Sequence, residues 1–372
     1  MTVNELLQHP ILDIPKDWRN EGRESYYQHV LETIREYTAL VNQLDDFEVD
    51  GRTLYMGQLP NTAFIQHPVR SINQALIHAI QRYFNQGSPS EAYRKFAEFF
   101  AQSTKGQEYA MLSPDSFLSS KTLRERDVLY RLRLESAYAP DAAGLFHIPF
   151  DRRYLVGNQR FSISGYPCLY AASSVYLAYQ ELRKPGWIPS LYAAKLRAIP
   201  NEIGQIVLLD LRNHVNEMRQ KHLDKPQSYD GQLMKFFATW PLVMATSVPV
   251  QDSDRFHEEY VIPQLVLEWV NNTRRGAGGD RFFSGIAFSS SRVSPADPAY
   301  ATAFNVVIPV HSSTPRGLCA VRTKQIQVSS PITLEDLAPS ALSTASNDTE
   351  YAQLIQEALQ GKDFETIRPY RE

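Results

Sequence analysis

Apolar residues recur at helical spacing along the first part of the chain. Between residues 22 and 43 they lie three and four positions apart, which is the pattern of one face of an amphipathic helix. A second stripe over residues 72–84 ends shortly before a glycine. Residues 88–91, Ser-Pro-Ser-Glu, then supply the cap, the proline and the glutamate that begin a third helix through residues 92–100. These stripes predict a mainly α-helical N-terminal domain over residues 1–112.

The pattern changes along the rest of the chain. Residues 47–59 carry Asp50-Gly51 between short β-prone stretches and predict a β-hairpin inside the helical domain. After about residue 129, short apolar or alternating runs separated by Gly, Pro and Ser are typical of strands. We predict strands at residues 160–163, 168–171, 206–211, 282–288 and 303–310, and helices at residues 174–182, 191–197 and 260–271. The fold class that follows is α+β, with a mixed β-sheet domain over residues 126–325.

Two further stretches have a distinct composition. Residues 271–279 form a basic loop rich in glycine. Residues 331–347 are rich in Ser, Ala and Pro, and residues 349–360 predict one short helix that ends at a glycine. We therefore predict a C-terminal tail over residues 331–372 that is appended to the sheet domain.

Composition and charge exclude several classes of protein. The chain has 372 residues, 38 Lys plus Arg, 41 Asp plus Glu and a net charge of −3, so its charge favours neither nucleic acid nor an anionic membrane as a partner. Its two cysteines, Cys168 and Cys319, form no CxxC pair, which is typical of a reducing compartment. No secretory leader and no run of about 18 apolar residues is recognised. We expect a cytoplasmic protein without a membrane span.

Several motifs with a defined chemistry do not occur in the sequence. It contains no GxxxxGK[ST] loop, GxGxxG turn, HExxH helix or GxSxG elbow, and its nine histidines without ligand spacing predict no metal site. Arg23 and His29 have the Arg-x5-His spacing of helical HEPN ribonucleases, in which a cation and an imidazole share one helix face. An exposed amphipathic helix accounts for the same two residues, so RNA cleavage is the weaker functional alternative.

A strand, a Gly-Tyr-Pro turn, a second strand and a helix are predicted over residues 160–181. If Gly165 is the centre of the turn, Arg160 and Tyr170 lie opposite each other on one face of a hairpin. Arginine supplies a rigid fork for a phosphate, tyrosine an aromatic face with a polar tip, and Glu181 a carboxylate one short helix away. A surface arginine, a core tyrosine and a solvated glutamate are the plain structural interpretation of the same residues.

The same stretch resembles the signature of the RES family, whose typical toxin members read approximately G-R-W-S, a Gly, L-Y-x-A-x-S and then a Glu. The matching residues are, in order, Arg160, Phe161, Ser162, Gly165, Leu169, Tyr170, Ala171, Ser173 and Glu181. A later G-I-x-Y-x-S pattern of the family falls on residues 285–290, with Ser290 as the family's serine. Residues 129–131 and 146–150 resemble the opening of longer RES proteins. The resemblance covers roughly residues 126–325 and does not extend to the N-terminal helices.

The resemblance implies an ADP-ribosyltransferase-like fold and an enzyme that consumes NAD, as a glycohydrolase, a phosphorylase or a protein ADP-ribosyltransferase. NAD is then the substrate, no metal is needed, and an Xre-like antitoxin is the implied protein partner, with self-association left open. In such a site Arg160 would hold the pyrophosphate, and Tyr170 would stack on the nicotinamide or its ribose. Glu181 would stabilise the positive charge that develops at the ribose. Ser290 would bind the nicotinamide carboxamide or orient the acceptor.

The sequence departs from the family pattern at several positions. Phe161 replaces the usual Trp and Phe288 the usual Tyr. Ser289 and Ser291 flank the assigned serine, so its position is open by one residue. Residue 179 is tyrosine, so the chain lacks the Glu-x-Glu of arginine-specific transferases, which leaves water, phosphate or another group as the acceptor. The alternative to an enzyme is a catalytically idle RES fold that serves as a protein-interaction module.

Overall fold

A computed structural model describes residues 1–44, 63–102, 117–135, 140–199, 204–224, 231–250, 256–272, 282–294, 297, 302–311 and 314–369. The predicted hairpin at residues 47–59 lies outside the described residues, as does most of the glycine-rich loop at residues 271–279. The chain divides into two compact units, Met1–Ser120 with Leu209–Phe282 and Lys121–Leu208 with Phe283–Glu372. Each unit is therefore built from two separate stretches of sequence.

Four helices come first among the described elements, and strands and helices are mixed along the rest of the chain. The helices are α1 (Val3–Gln8), α2 (Tyr26–Asn42), α3 (Ala63–Ile80), α4 (Pro89–Gln102), α5 (Val175–Glu181), α6 (Val215–Asp224), α7 (Gly231–Thr246), α8 (Val261–Asn272), α9 (Ala320–Gln325), α10 (Pro339–Leu342) and α11 (Asp348–Gln360). The strands are β1 (Ser120–Thr122), β2 (Val128–Leu134), β3 (Cys168–Ala172), β4 (Leu191–Ala198), β5 (Val207–Leu211), β6 (Gly285–Phe288), β7 (Asn305–Pro309), β8 (Ile326–Ser329) and β9 (Phe364–Glu365). These elements confirm the predicted α+β class. Within the part of the chain that the structure describes, no helix is both long and apolar enough to cross a membrane.

The first unit is a helical assembly around α2, α3, α4, α7 and α8. The three helices predicted near the N-terminus are observed as α2, α3 and α4, and α3 continues into a π-helical turn at Gln81–Asn85. Tyr37 of α2 places its ring 4.3 Å from that of Trp240 on α7, and its hydroxyl donates a 2.8 Å hydrogen bond to the Phe237 carbonyl. On α8, the ring of Trp269 lies 4.4 Å from that of Phe100 on α4. Large aromatic side chains therefore connect the two sequence stretches of this unit.

The boundaries of the units differ from the predicted domains 1–112 and 126–325. Residues 209–282 follow the first predicted strands in sequence but belong to the unit of the N-terminal helices. The reason lies in α7, which is buried on nearly all sides from Leu233 to Thr246 and so needs other helices around it. Such a helix shows no one-sided apolar period, so the hydrophobic pattern predicts neither this helix nor the distant part of the sequence that covers it.

His29 lies on the buried face of α2 and not at an exposed helix surface. Its side chain is 1% exposed, and its Nδ1 lies 3.4 Å from a carboxylate oxygen of Glu21. Burial lowers the pKa of His29, while Arg23 pairs with Glu32. A ribonuclease centre would need the imidazole of His29 at the surface, so the structure argues against that alternative.

The described strands of the chain form one nine-stranded sheet in the order β1-β5-β6-β7-β3-β2-β4-β8-β9. β4 pairs antiparallel with β2 along the whole of β2 and with β8 on its other side. The prediction of a helix at residues 191–197 is therefore wrong. This stretch is rich in Leu, Ala, Lys and Arg, which favour helices, but pairing with two neighbouring strands overrides that intrinsic preference.

Each face of the sheet buries its own apolar cluster, and consecutive residues of β2 contribute to opposite faces. Leu129 belongs to one cluster and Tyr130 to the other. The cluster around Tyr130 is covered by α5 and α11, and it includes Ile355 and Leu359 of α11. The helix predicted at residues 349–360 is thus present, but the C-terminal segment is part of the core of the second unit and not an appendage.

Candidate functional site

The segment around Arg160 differs from the predicted hairpin. Gly165 adopts a positive φ of 65° at the turn, yet the two arms share only the isolated bridge between Ile163 and Tyr166. Tyr170 instead pairs with Val307 of β7, so the predicted register of Arg160 opposite Tyr170 is wrong. β7 pairs with β3 along its whole length and β2 lies on the other side of β3, so β3 has no open edge for the Arg160 segment.

A side-chain contact nevertheless brings Tyr170 to the Arg160 segment. The Tyr170 hydroxyl donates a 2.6 Å hydrogen bond to the carbonyl of Phe161, the residue after Arg160. Burial raises the pKa of Tyr170, so the phenol stays protonated and remains a donor at neutral pH. Arg131 supports the same strand by donating a 2.7 Å hydrogen bond to the Tyr170 carbonyl, and burial lowers the pKa of Arg131 to about 10, so it stays charged.

Glu181 is the last residue of α5, a short helix whose N-terminus is capped by the Ser174 side chain. Its Oε1 accepts a 2.6 Å hydrogen bond from the Ser290 hydroxyl and a 2.7 Å hydrogen bond from the Asn305 side-chain amide. Its Oε2 lies 3.7 Å from Nε of Arg292. The Glu181 side chain is 34% exposed, so this carboxylate is held on one side and reachable from solvent on the other.

Ser290 and Ser291, two of the three consecutive serines after β6, contact different groups. Ser290, which is 4% exposed, donates to Glu181 and accepts a 3.0 Å hydrogen bond from the backbone N–H of Arg292. Ser291 accepts a hydrogen bond from Nη2 of Arg160. The serine in contact with the carboxylate is therefore Ser290, as assigned from the sequence, and its neighbour Ser291 contacts the guanidinium.

β6 and β7 approach closely, which places this serine segment beside α5. A side chain at Gly285, the first residue of β6, would collide with the carbonyl oxygen of Val307, so glycine is required there. Phe288 and Asn305 pair directly across β6 and β7, and Asn305 also pairs with Ala172 of β3, which puts all three on one face of the sheet.

Two aromatic residues that depart from the family pattern contact each other. The ring centroids of Phe161 and Phe288 are 4.7 Å apart at an interplanar angle of 47°. Phe161 is 1% exposed, and its carbonyl is the group that receives the Tyr170 hydroxyl. The two phenylalanines thus form an apolar wall behind the segment that carries Arg160.

The structure brings the four residues predicted from the sequence together through separate hydrogen bonds. Ser290 donates to Glu181, Arg160 donates to Ser291 beside Ser290, and Tyr170 donates to the carbonyl of Phe161 beside Arg160. Sequence reasoning missed Asn305 and Arg292. The available signal was a single polar residue, Asn305, inside the apolar run 303–310. Chemically, the group offers a solvent-reachable carboxylate, two guanidinium groups and an aromatic ring, which suits a ligand with an anionic part and a developing positive charge.

Comparisons with known proteins give one similarity. No family model and no solved structure matches the chain. A curated protein of Bacillus subtilis (strain 168), named "Putative toxin YopC", is 28% identical to it over 277 residues. The match covers 72% of this chain and 59% of that protein, so the chain spans less than two thirds of the relative's length. The chain is therefore similar to a protein that carries the name of a toxin.

Proposed function

We propose that the second unit is an ADP-ribosyltransferase-like domain of the RES type, which cleaves the bond between nicotinamide and ribose in NAD. The observation that carries the proposal is the Glu181 carboxylate, whose Oε1 is held by Ser290 and Asn305 while the side chain as a whole stays 34% exposed. The family signature and the similarity to a protein named "Putative toxin YopC" support it from the sequence side. Depletion of NAD would then be the toxic effect, and a cytoplasmic antitoxin of the Xre type would be the partner that limits it.

In the proposed reaction the bond between ribose C1′ and the nicotinamide nitrogen breaks, and neutral nicotinamide leaves with the bonding electron pair. Positive charge develops on C1′ and the ring oxygen, as in an oxocarbenium-like transition state. Glu181 would stabilise that charge and accept a hydrogen bond from a ribose hydroxyl. Water, phosphate or a protein nucleophile then supplies the electron pair of the new bond to C1′.

The remaining residues would bind the substrate on either side of the carboxylate. Arg160, which donates to the Ser291 hydroxyl, would bind the pyrophosphate because its guanidinium fork matches phosphate oxygens. The ring of Tyr170 would stack on the nicotinamide or its ribose. The Tyr170 hydroxyl is not available for the ligand, because it donates a hydrogen bond to the Phe161 carbonyl. Ser290 gives its hydroxyl hydrogen to Glu181, so we assign it to holding the carboxylate and not to binding the carboxamide.

The test is the loss of NAD over time in solutions of the purified chain and of Glu181→Gln, with and without phosphate. We expect the wild type to consume NAD and Glu181→Gln to be slower by about a hundredfold, because it loses the charge that stabilises the transition state. Glu357→Gln is the matched control, since Glu357 is exposed on α11 and contacts only Gln353 among its described partners. A requirement for phosphate would identify phosphorolysis.

Two results would contradict the proposal. If Glu181→Gln consumed NAD at the wild-type rate, the carboxylate would have no part in the reaction. If the wild type left NAD intact in both buffers and in the presence of candidate acceptor proteins, the protein-interaction alternative would be favoured. Urea unfolding curves of all variants establish that the compared chains are folded.

A further inference from the structure

Asn305, a buried polar residue on β7, contacts Glu181 but has no role of its own in the proposed reaction. Asn305 is 5% exposed and begins a strand whose next three residues, Val306 to Ile308, are apolar and buried. Burying a side-chain amide costs free energy unless it is hydrogen-bonded. Nδ2 of Asn305 donates a 2.7 Å hydrogen bond to Oε1 of Glu181, which lies 124 residues earlier in the chain. The cross-strand neighbour Ala172 is small, which leaves the amide room to reach the end of α5.

Both described hydrogen bonds to the Glu181 carboxylate converge on one oxygen. Asn305 and the Ser290 hydroxyl donate to Oε1, while Nε of Arg292 lies 3.7 Å from Oε2, within ion-pair distance but beyond hydrogen-bond distance. Two donors, one on β7 and one in the segment after β6, restrict both the position and the rotation of the carboxylate. We propose that Asn305 is a positioning residue that, with Ser290, fixes Oε1 of Glu181 so that Oε2 is the oxygen presented to the ligand.

The catalytic part of this inference rests on the proposed function, but the hydrogen bond between Asn305 and Glu181 can be tested without NAD. Asn305→Asp keeps the shape of the side chain and replaces the donor by an acceptor that faces another carboxylate. Asn305→Ala removes the group. A buried carboxylate at position 305 costs free energy whatever the role of Asn305, so these two variants give the size of the loss, and an exchange of donor and acceptor identifies the partner.

The decisive variant combines Asn305→Asp with Glu181→Gln, which exchanges the donor and the acceptor of this hydrogen bond. Here the amide of residue 181 can donate to the carboxylate of residue 305, so the hydrogen bond is restored in the reverse direction. We expect the urea midpoint of unfolding at pH 7 to fall most in Asn305→Asp, less in Asn305→Ala, and to recover in the double variant. Gln353→Ala, an exposed amide on α11, is the matched control and should leave the midpoint unchanged.

Catalysis provides the second readout. With NAD as substrate, we expect Asn305→Ala to lower kcat about tenfold and to change KM less than about twofold, because the carboxylate is misplaced while Arg160 still binds NAD. The double variant should remain inactive, since residue 181 is no longer a carboxylate. If NAD is not consumed by the wild type, the proposed reaction fails, and the unfolding midpoints alone decide whether Asn305 holds Glu181. A urea midpoint of the double variant that is no higher than that of Asn305→Asp would overturn the inference.

Discussion

His147 is a buried imidazole with both ring nitrogens engaged. Its Nε2 accepts a 2.9 Å hydrogen bond from the backbone N–H of Cys319, and its Nδ1 lies 2.8 Å from the carbonyl of Ile148, to which it donates. A proton added to Nε2 would face the N–H of Cys319 and would be buried. Burial accordingly lowers the pKa of His147 to about 4, which keeps the ring neutral at physiological pH.

This lowered pKa predicts a loss of stability in acid. The unfolded chain binds a proton at this histidine below about pH 6.5, whereas the folded chain does so only below about pH 4. The free energy of unfolding therefore decreases as pH falls between these values, by about 3 kcal/mol from this group. In His147→Gln we expect that part of the decrease to vanish, as measured by urea unfolding between pH 7 and pH 4.5. His78→Gln, an exposed histidine of α3, should retain the full decrease, and equal pH dependence in both variants would contradict the argument.

At the scale of single residues, a linear motif predicted part of the site. Arg160, Tyr170 and Glu181 were identified because they fall within one short stretch of sequence with a recognised spacing, and Ser290 because its own short pattern follows. Asn305 and Arg292 could not be identified in this way. Asn305 meets Glu181 only because β7 pairs with β3 and β6, and no local spacing encodes that pairing.

At the scale of elements, α5 depends on α11 for its packing. Tyr179, two residues before Glu181, stacks on Trp187 with ring centroids 4.2 Å apart, and Trp187 stacks on Tyr351 of α11 at 5.8 Å. The indole N–H of Trp187 also donates a 3.2 Å hydrogen bond to Asp348. The helix that ends at Glu181 is thus fixed by a segment more than 160 residues later in the chain.

Leu359→Ala tests this dependence. Leu359 of α11 is fully buried in the cluster that also contains Leu177 of α5. We expect the substitution to reduce the free energy of unfolding of the second unit by about 2–5 kcal/mol, because it leaves a cavity. Glu357→Ala, on the exposed side of α11, should change it by less than about 0.5 kcal/mol. Equal effects in a chemical unfolding experiment would mean that α11 contributes no packing to this core.

Secondary structure was predictable where apolar residues recur with a clear helical period, as in α2, α4 and α8. β4 was missed because its residue types favour a helix and only its neighbours β2 and β8 make it a strand. The arm around Arg160 was expected to be a strand because it precedes a turn, but β7 and β2 occupy the two edges of β3. Both errors have one cause, which is competition between local preference and pairing with a distant strand.

At the scale of the whole molecule, both units are discontinuous, and this limits how the chain can be divided. A fragment of residues 121–372, which keeps all of the second unit, contains α7 and α8 without the N-terminal helices of the first unit that cover them. We expect it to aggregate, because side chains such as Trp240 and Trp269, each no more than 2% exposed in the full chain, would face water.

The matched control is residues 121–372 with residues 212–281 replaced by a Gly/Ser linker of about 12 residues. The linker can span the gap, because the backbone N–H of Ser284 donates a 2.6 Å hydrogen bond to the carbonyl of Val207. On size-exclusion chromatography we expect the fragment to elute as aggregates and the linked variant as a single peak. Monodisperse behaviour of the fragment that retains residues 209–282 would contradict the assignment of these helices to the first unit.

Glu181 is synthesised well before the two residues that donate hydrogen bonds to its carboxylate. The ribosome makes Ser290 109 residues and Asn305 124 residues after Glu181. At about 5–20 residues per second, the carboxylate exists for about 5–25 s before its two donors have been synthesised. A ribosome that stalls between these positions therefore releases a chain in which the group around Glu181 is never assembled. If the chain is a toxin, incomplete translation products are harmless to the cell that makes them.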